Sequence, residues 1–249
     1  FYTVIFFMLS ETYYILLLRK NYTKITKIIV LLLTLAIGIS ALDSNGMSKN
    51  QIVFIDVGQG DAIHIRDKDK DVLIDGGGSV NYNIGKNTLK PYFLKNGTRK
   101  IELALATHKH TDHYKGIEEL YEEGLIEKIL TRRTAGQKYY LSDDVYVETL
   151  WPLAKDINSP NCADPNQEEN KYCSIFMGFY KGTKILITGD IDEEGEKQII
   201  RHYIGTGKLK ADILKVGHHG SNGSSGEELL AAVRPETAII SVGDNSYGH

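Results

Sequence analysis

One short stretch limits what this chain can fold into more than any other: the apolar run "LALAT" is followed at once by "HKHTDH". The run has the length and composition of a buried β-strand. Histidines two positions apart at the end of a strand project to the same side, so His108 and His110 can hold one metal ion. Asp112 and His113 follow in the bend into the next helix and point to a second metal position nearby.

Polar clusters follow apolar strands at other points of the chain. The segment "VLID" ends at Asp75, "ILITGD" ends at Asp190, and "ILKVGHH" ends at His218 and His219. Strands that end at one edge of a sheet bring such clusters together in space. Two metal ions at about 3.5–4 Å need an anionic bridge, and Asp190 is the best candidate. The sequence therefore predicts one centre that holds two divalent metal ions.

The order of the predicted elements favours a layered α+β sandwich. Strands are predicted at 51–57, 61–66, 71–78, 101–107, 145–152, 211–217 and 237–243, with a hairpin at 174–190. Helices are predicted at 113–124, 193–203 and 226–235. Because the strands form two blocks with helices outside them, two sheets packed face to face and covered by helices are expected.

The N-terminal residues differ in composition from the rest. Two apolar segments flank a basic stretch with Arg19, Lys20, Lys24 and Lys27, which predicts two membrane helices joined by a cytoplasmic loop in residues 1–46. Residues 47–249 would then form a separate domain on the outer side, truncated at its C-terminus. A cleaved signal peptide and a buried core helix are the alternatives.

Overall composition sets few further limits. An apolar content of 42% with 24% charged residues excludes a disordered chain. The formal net charge of −3 gives no global signature of nucleic-acid binding. Cys162 and Cys173 bracket a polar loop, and in an exported domain they could be joined by a disulfide or remain thiols.

A family resemblance rests on five further motifs in a fixed order: "FIDVGQGDA", "VLIDGGG", "ILITGD", "LKVGHHGS" and "SVGDNSYGH". The histidine cluster resembles the signature of the metallo-β-lactamase fold. The whole set, over residues 52–249, resembles the C-terminal domain of the ComEC family, the membrane channels of bacterial DNA uptake, and the N-terminal segments resemble the end of that family's transmembrane region. The resemblance implies a four-layer αββα sandwich and a phosphodiesterase that degrades the DNA strand that is not imported.

The resemblance also implies a ligand set for two divalent ions. The implied metal ligands are His108, His110, Asp112, His113, Asp190 and His219. Many members of the fold carry a further histidine four positions before Ser174, where this chain has Asn170. Because an amide oxygen is a weak ligand, such a site admits manganese as well as zinc. The ComEC relatives also tend to lack that histidine.

Further roles follow from the same resemblance. Asp112 would orient the attacking water, while His218 or His249 would stabilise charge or protonate the leaving oxygen. The sequence equally supports a swap in which His218 is the ligand and His219 faces the substrate. Asp75 would steady the histidine loop, and Asp61 is a candidate metal or pocket residue.

Partners and rival functions follow from these assignments. DNA is the expected substrate, and the membrane and other components of the DNA-uptake machinery are the expected partners. One alternative is an exported phosphodiesterase of another class, such as a phosphorylcholine esterase. The other is a domain without catalytic activity that gates the channel; six intact ligand positions argue against it.

Overall fold

The structure is a computed structural model that describes residues 2–18, 24–43, 50–131, 134–154 and 170–245. The chain divides into two compact units, Phe1–Ser48 and Lys49–His249. Cys162 and His249 lie outside the described residues. The pairing of Cys162 and the substrate-side role of His249 therefore stay predictions.

The smaller unit consists of two helices, α1 (Tyr2–Leu18) and α2 (Lys24–Asp43), at the positions of the predicted apolar segments. Among the helices that the structure describes, none combines the length and the apolarity that a membrane crossing requires. The 17 residues of α1 fall short of the roughly 20 that span a bilayer core. In α2, Lys24, Lys27 and Asp43 shorten the uncharged stretch. The structure thus shows the two helices but not the predicted membrane spans.

The first sheet of the larger unit consists of β1 (Asn50–Phe54), β2 (Ile63–Asp67), β3 (Lys70–Ile74), β4 (Leu103–Leu105) and β5 (Ile129–Leu130), in this order across the sheet. Short connections make β1, β2 and β3 antiparallel. Longer connections, each of which includes a helix, let β4 run parallel to β3 and to β5.

The second sheet is also mixed. Its strands are β6 (Lys138–Tyr140), β7 (Val145–Trp151), β8 (Ile175–Tyr180), β9 (Thr183–Ile187), β10 (Ile213–Lys215) and β11 (Thr237–Ile239). The order across the sheet is β11–β10–β9–β8–β7–β6. The hairpin β8–β9 turns at Lys181 and Gly182, as the sequence predicts.

Helices cover the outer face of each sheet. They are α3 (Lys90–Lys95), which follows a π-helical turn (Gly85–Leu89), α4 (Thr111–Glu122), α5 (Glu193–Tyr203) and α6 (Glu227–Val233). The helix α5 begins where the sequence places it, because Asp192 caps it by accepting a hydrogen bond of 2.8 Å from the backbone N–H of Gly195.

Three apolar clusters define four layers. One joins the first sheet to α3 and α4, through residues such as Leu73, Phe93 and Leu120. A second lies between the two sheets, where Ile65, Val145, Phe176 and Ile185 are buried. The third joins the second sheet to α5 and α6, through Leu186, Ile199 and Leu229. The layer order is the αββα order that the sequence resemblance implies.

The parallel pairs bring the polar clusters to one edge. In the first sheet, Ile74 pairs with Leu105, so the residues that follow β3 and β4 leave the sheet side by side. In the second sheet, Lys215 pairs with both Ile187 and Ile239, so the ends of β9, β10 and β11 are also neighbours. The site is built from these two groups of strand ends.

Candidate metal centre

The loop from β4 to α4 carries four of the predicted site residues. His108 follows the strand and is nearly buried. The extended backbone of His110 precedes the first turn of α4, which contains Asp112 and the fully buried His113. A Cβ on Gly60 would lie 2.3 Å from the backbone oxygen of Asp112, so this loop packs closely against "DVGQGD".

The turn after β10 carries two more of the predicted site residues. His218 and His219 both have left-handed backbones, with φ of 47° and 55°. Non-glycine residues adopt this region at a cost of about 1–3 kcal/mol each, and such strain concentrates at functional sites. A hydrogen bond of 3.0 Å from the N–H of His218 to the carbonyl of Gly189 holds the turn against the end of β9.

Asp190 lies between two groups of imidazoles: the first group contains His108 and His110, and the second contains His113 and His219. Its Oδ1 atom is 3.0 Å from Nε2 of His113 and 3.6 Å from Nε2 of His219. Its Oδ2 atom is 3.9 Å from Nε2 of His108 and 3.9 Å from Nε2 of His218. One carboxylate therefore presents a different oxygen to each group, which is the geometry of a bridging ligand.

The ring nitrogens within each group converge. In the first group, Nε2 of His108 lies 3.0 Å from Nδ1 of His110. In the second group, Nε2 of His113 lies 3.2 Å from Nε2 of His219. Oδ2 of Asp112 joins the second group, 3.4 Å from Nε2 of His219. All the predicted ligands are therefore close together, although their roles as ligands stay predictions.

Hydrogen bonds behind the rings fix which nitrogen faces the centre. Oδ2 of Asp75 accepts from Nδ1 of His113 at 2.9 Å and from the hydroxyl of Thr107 at 2.7 Å. That hydroxyl in turn lies 3.0 Å from Nδ1 of His108. The carbonyl of Ser241 accepts from Nδ1 of His219 at 2.9 Å. In all three rings Nδ1 faces outward, which leaves Nε2 for a metal.

The electrostatics of the cluster are dominated by its carboxylates. Burial alone would lower the pKa of His113, but the charges of Asp190 and Asp75 raise it well above its usual value. Burial would likewise lower the pKa of His219, but Asp112 and Asp190 raise it to about 9. Burial and the neighbouring His113 hold the pKa of His108 well below its usual range. The negative charge that retains protons on two of these rings also attracts a divalent cation.

The donor set fits divalent cations. Ligand atoms of His108, His110 and Asp190 all lie within 4.8 Å of one another, and so do those of Asp61, His113, Asp190 and His219. Oδ1 of Asp190 is buried and makes no hydrogen bond of ordinary geometry, although two imidazoles surround it. Imidazole nitrogens and carboxylate oxygens are the ligands that zinc and manganese take.

Asp61 lies behind the second group rather than inside it. Its oxygens are 4.0 Å from Nδ1 of His113 and 3.8 Å from Nδ1 of His219. These are the nitrogens that already donate to Asp75 and to the carbonyl of Ser241. Asp61 therefore lies on the Nδ1 side of both rings, whereas Oδ2 of Asp112 lies 3.4 Å from Nε2 of His219. The assignment of either carboxylate as a ligand stays a prediction.

Asn170 begins a short 3₁₀ turn beside the strand end that carries His108, because the N–H of Ser174 donates to the carbonyl of Thr107 at 2.8 Å. Its Oδ1 atom is buried and accepts no hydrogen bond, so it is available to a cation. The sequence reasoning missed Thr107, Ser241 and Lys215. The position of Thr107 directly before the histidine motif was the one signal that could have indicated a supporting hydroxyl.

The larger unit matches a known protein family. Residues 55–244 match the family described as "Metallo-beta-lactamase superfamily". A solved metallo-β-lactamase from Cronobacter sakazakii has 12% identity to the chain, over 66% of this chain and 73% of that chain, with a TM-score of 0.46.

Curated proteins with similarity to the chain include one from Bacillus subtilis and one from Neisseria gonorrhoeae. "ComE operon protein 3" of Bacillus subtilis (strain 168) is 29% identical over 235 residues, which cover 81% of this chain and 29% of that protein. "Competence protein ComA" of Neisseria gonorrhoeae is 29% identical over 210 residues, which cover 78% of this chain and 27% of that protein. The chain thus spans less than a third of either relative. The resemblance to competence proteins that the motifs indicated is confirmed.

Proposed function

The chain belongs to the metallo-β-lactamase superfamily, and from that premise we propose that it is a hydrolase of phosphodiesters that uses two divalent metal ions and degrades DNA. Members of this superfamily are usually metal-dependent hydrolases. The metal-binding residues would be His108, His110, Asp112, His113, Asp190 and His219.

The position of Asp190 supports this proposal more than any other observation. Each of its oxygens faces a different group of imidazoles, at 3.0 Å from His113 and 3.9 Å from His108. A carboxylate that serves one metal ion has no need of a second histidine group on its other oxygen. Two ions held in this way would polarise a phosphodiester and lower the pKa of a water molecule.

Asp112 and His218 are the side chains of the second group and of the turn after β10 that can touch a substrate, because they are the least buried there. The side chain of Asp112 is 32% exposed and that of His218 is 31% exposed, whereas Asp190 and His219 are almost fully buried. Hydrogen bonding to His219 overcomes the opposing effect of burial and lowers the pKa of Asp112 to about 2, so Asp112 is ionised at neutral pH. It would orient the attacking water by accepting a hydrogen bond from it, and His218 would donate to the phosphate or to the leaving oxygen.

DNA is proposed as the substrate because of the relatives. One of them is named as a competence protein and the other as a protein of the ComE operon. We place the activity at the cell membrane, beside the channel that takes up DNA, where the domain would degrade the strand that is not imported. Other components of that machinery are the proposed partners.

The test is an assay of the purified 249-residue chain on linear duplex and single-stranded DNA, with manganese, zinc or a chelator. We expect cleavage that requires a divalent metal and that falls by at least about 100-fold in Asp190→Ala. Asp192→Ala is the matched control: it removes a helix cap at a cost of about 1 kcal/mol and should keep the activity. Cleavage that survives the chelator, or an Asp190→Ala variant as active as the parent chain, would contradict the proposal.

Two further outcomes separate the rival functions. Hydrolysis of a small phosphorylcholine ester without cleavage of DNA would replace the nuclease by an exported esterase. Tight metal binding with no hydrolysis of either substrate would favour a gating domain. Both substrates should therefore be assayed with the same preparation.

A further inference from the structure

A buried lysine lies directly beside the metal centre. Lys215 is the last residue of β10, and its side chain is completely buried. Its Nζ atom is 2.8 Å from Oδ2 of Asp61 and donates to the carbonyl of Val216 at 2.8 Å. Isolated charges are too costly to bury, so buried lysines occur almost entirely in pairs. Asp61 is that pairing group.

Asp61 is held in place by its backbone as well as by the lysine. Its N–H donates to the carbonyl of Asp112 at 3.2 Å, and its carbonyl accepts from the N–H of Gly77 at 2.6 Å. Neither oxygen of its side chain makes a hydrogen bond of ordinary geometry. The orientation of this carboxylate therefore depends on the ammonium group of Lys215.

The carboxylate of Asp61 faces the outer nitrogens of two rings. It lies 4.0 Å from Nδ1 of His113 and 3.8 Å from Nδ1 of His219. A negative charge on this side favours the tautomer in which Nδ1 carries the proton, since the N–H dipole then points toward the charge. In that tautomer Nε2 of each ring has its lone pair free for a metal ion.

We propose that Lys215 is a positioning residue of the metal centre: by pairing with Asp61 it holds a carboxylate against the Nδ1 sides of His113 and His219, and so keeps both Nε2 atoms directed at the metal. The ion pair also crosses between the sheets, because Asp61 precedes β2 and Lys215 ends β10. This inference rests on the metal site of the proposed function, but it does not depend on the substrate.

Metal affinity tests this role, because a merely structural ion pair would not change it. The full chain and the variants Lys215→Met, Asp61→Asn and Asp61→Asn/Lys215→Met are titrated with zinc and with manganese in competition with a chelating dye. Removal of an outer partner of a metal ligand typically weakens binding by about 10–100-fold. We expect that loss in each variant, with the double variant no worse than either single one, since the two residues act as a unit.

Thermal unfolding accompanies each titration. Each single variant leaves a buried charge without its partner and should lower Tm by roughly 10 °C. The double variant removes both charges and should unfold closer to the parent chain, so it remains testable even if the single variants do not fold. Lys208→Met is the matched control: Lys208 pairs with the buried Glu148 at 2.6 Å, away from the centre, and this change should leave metal affinity as it is.

The outcomes separate this inference from the proposed function. A folded double variant with the metal affinity of the parent chain shows that the pair is only structural and overturns the inference, while the proposed function stands. A parent chain that binds neither metal overturns both. A 10–100-fold loss in the double variant, with the Lys208→Met affinity unchanged, supports the positioning role.

Discussion

Replacement of Asp75 by asparagine should disable the metal centre while it preserves the fold. Oδ1 of Asp75 accepts from the backbone N–H of Thr107 at 2.7 Å, a donor that cannot change its role. An asparagine must therefore keep its oxygen at that position and place its NH₂ group where Oδ2 was. The NH₂ group would then donate to Nδ1 of His113, which must become an acceptor and carry its proton on Nε2.

The same change reaches a second histidine. In the parent chain, the hydroxyl of Thr107 donates to Oδ2 of Asp75 and accepts from Nδ1 of His108. With asparagine at position 75 the hydroxyl accepts from the NH₂ group and donates to His108 instead. Because a metal-binding nitrogen must be free of its proton, both rings would have to change tautomer on binding. A disturbed hydrogen bond to the outer nitrogen of a metal ligand costs about 10–100-fold for each ligand, so we expect a loss of affinity between about 10² and 10⁴.

The measurement is competitive titration with zinc and manganese, together with thermal unfolding of the metal-free protein. Asp75→Ala is the contrasting variant: it strips three donors of a charged acceptor and should cost about 3–5 kcal/mol of folding stability. Asp71→Asn is the matched control, because Asp71 is a buried carboxylate 2.6 Å from Nε2 of His64, outside the centre. Wild-type affinity in Asp75→Asn, or an equal loss in Asp71→Asn, would refute the tautomer argument.

Three further predictions concern stability and ligand choice. Gly116→Ala should destabilise the fold by roughly 3 kcal/mol in thermal unfolding, because its Cβ would lie 2.0 Å from the carbonyl oxygen of Gly76, whereas Gly124→Ala, with open space around it, should cost about 1 kcal/mol; equal losses would contradict this. In the metal-free chain, His219 (pKa raised to about 9) adds stability below its unfolded value of about 6.5, and this is lost as the pH rises through 9. Asp112 (pKa about 2) adds stability that is lost as the pH falls from about 4 to 2. The Tm should therefore be highest between about pH 4 and pH 6.5, and a maximum at about pH 9 would refute the assignment. Asn170→Ala should change the free energy of unfolding of the metal-free chain by no more than about 0.5 kcal/mol, because Oδ1 makes no hydrogen bond, yet it should weaken metal binding. Unchanged affinity would exclude Asn170 as a ligand.

Local patterns predicted the elements that build the site. The strands that precede Asp75, Thr107 and Asp190 are buried apolar runs, and these polar residues follow within three positions of the strand ends. Both signals therefore lie in one short stretch of sequence. The patterns failed for β5, β6 and α3, which have two, three and six residues. Such elements are too short to show a period. β5 and β6 form because neighbouring strands pair with them, and α3 forms because it packs against the first sheet.

Side-chain support could not be predicted in the same way. Nothing near Asp61 in the sequence indicates that a lysine more than 150 positions later would neutralise it. The prediction that His218 or His219 is a ligand also stayed open for a physical reason: both backbones are left-handed, and neither strand nor helix periodicity applies to such a turn. The structure directs Nε2 of each toward a different oxygen of Asp190.

The placement of these residues also couples metal binding to the packing of the sandwich. His108 and His113 come from the end of β4 in the first sheet, whereas Asp190 and His219 follow β9 and β10 in the second. A metal ion bound between them joins the two sheets at one edge, where Asp190 is held by loops rather than by strand pairing. An ion that binds only the folded chain stabilises it by RT ln(1 + [L]/Kd), about 2.7 kcal/mol at 100 times Kd. Metal binding should therefore stabilise the folded chain by joining the two sheets at this edge.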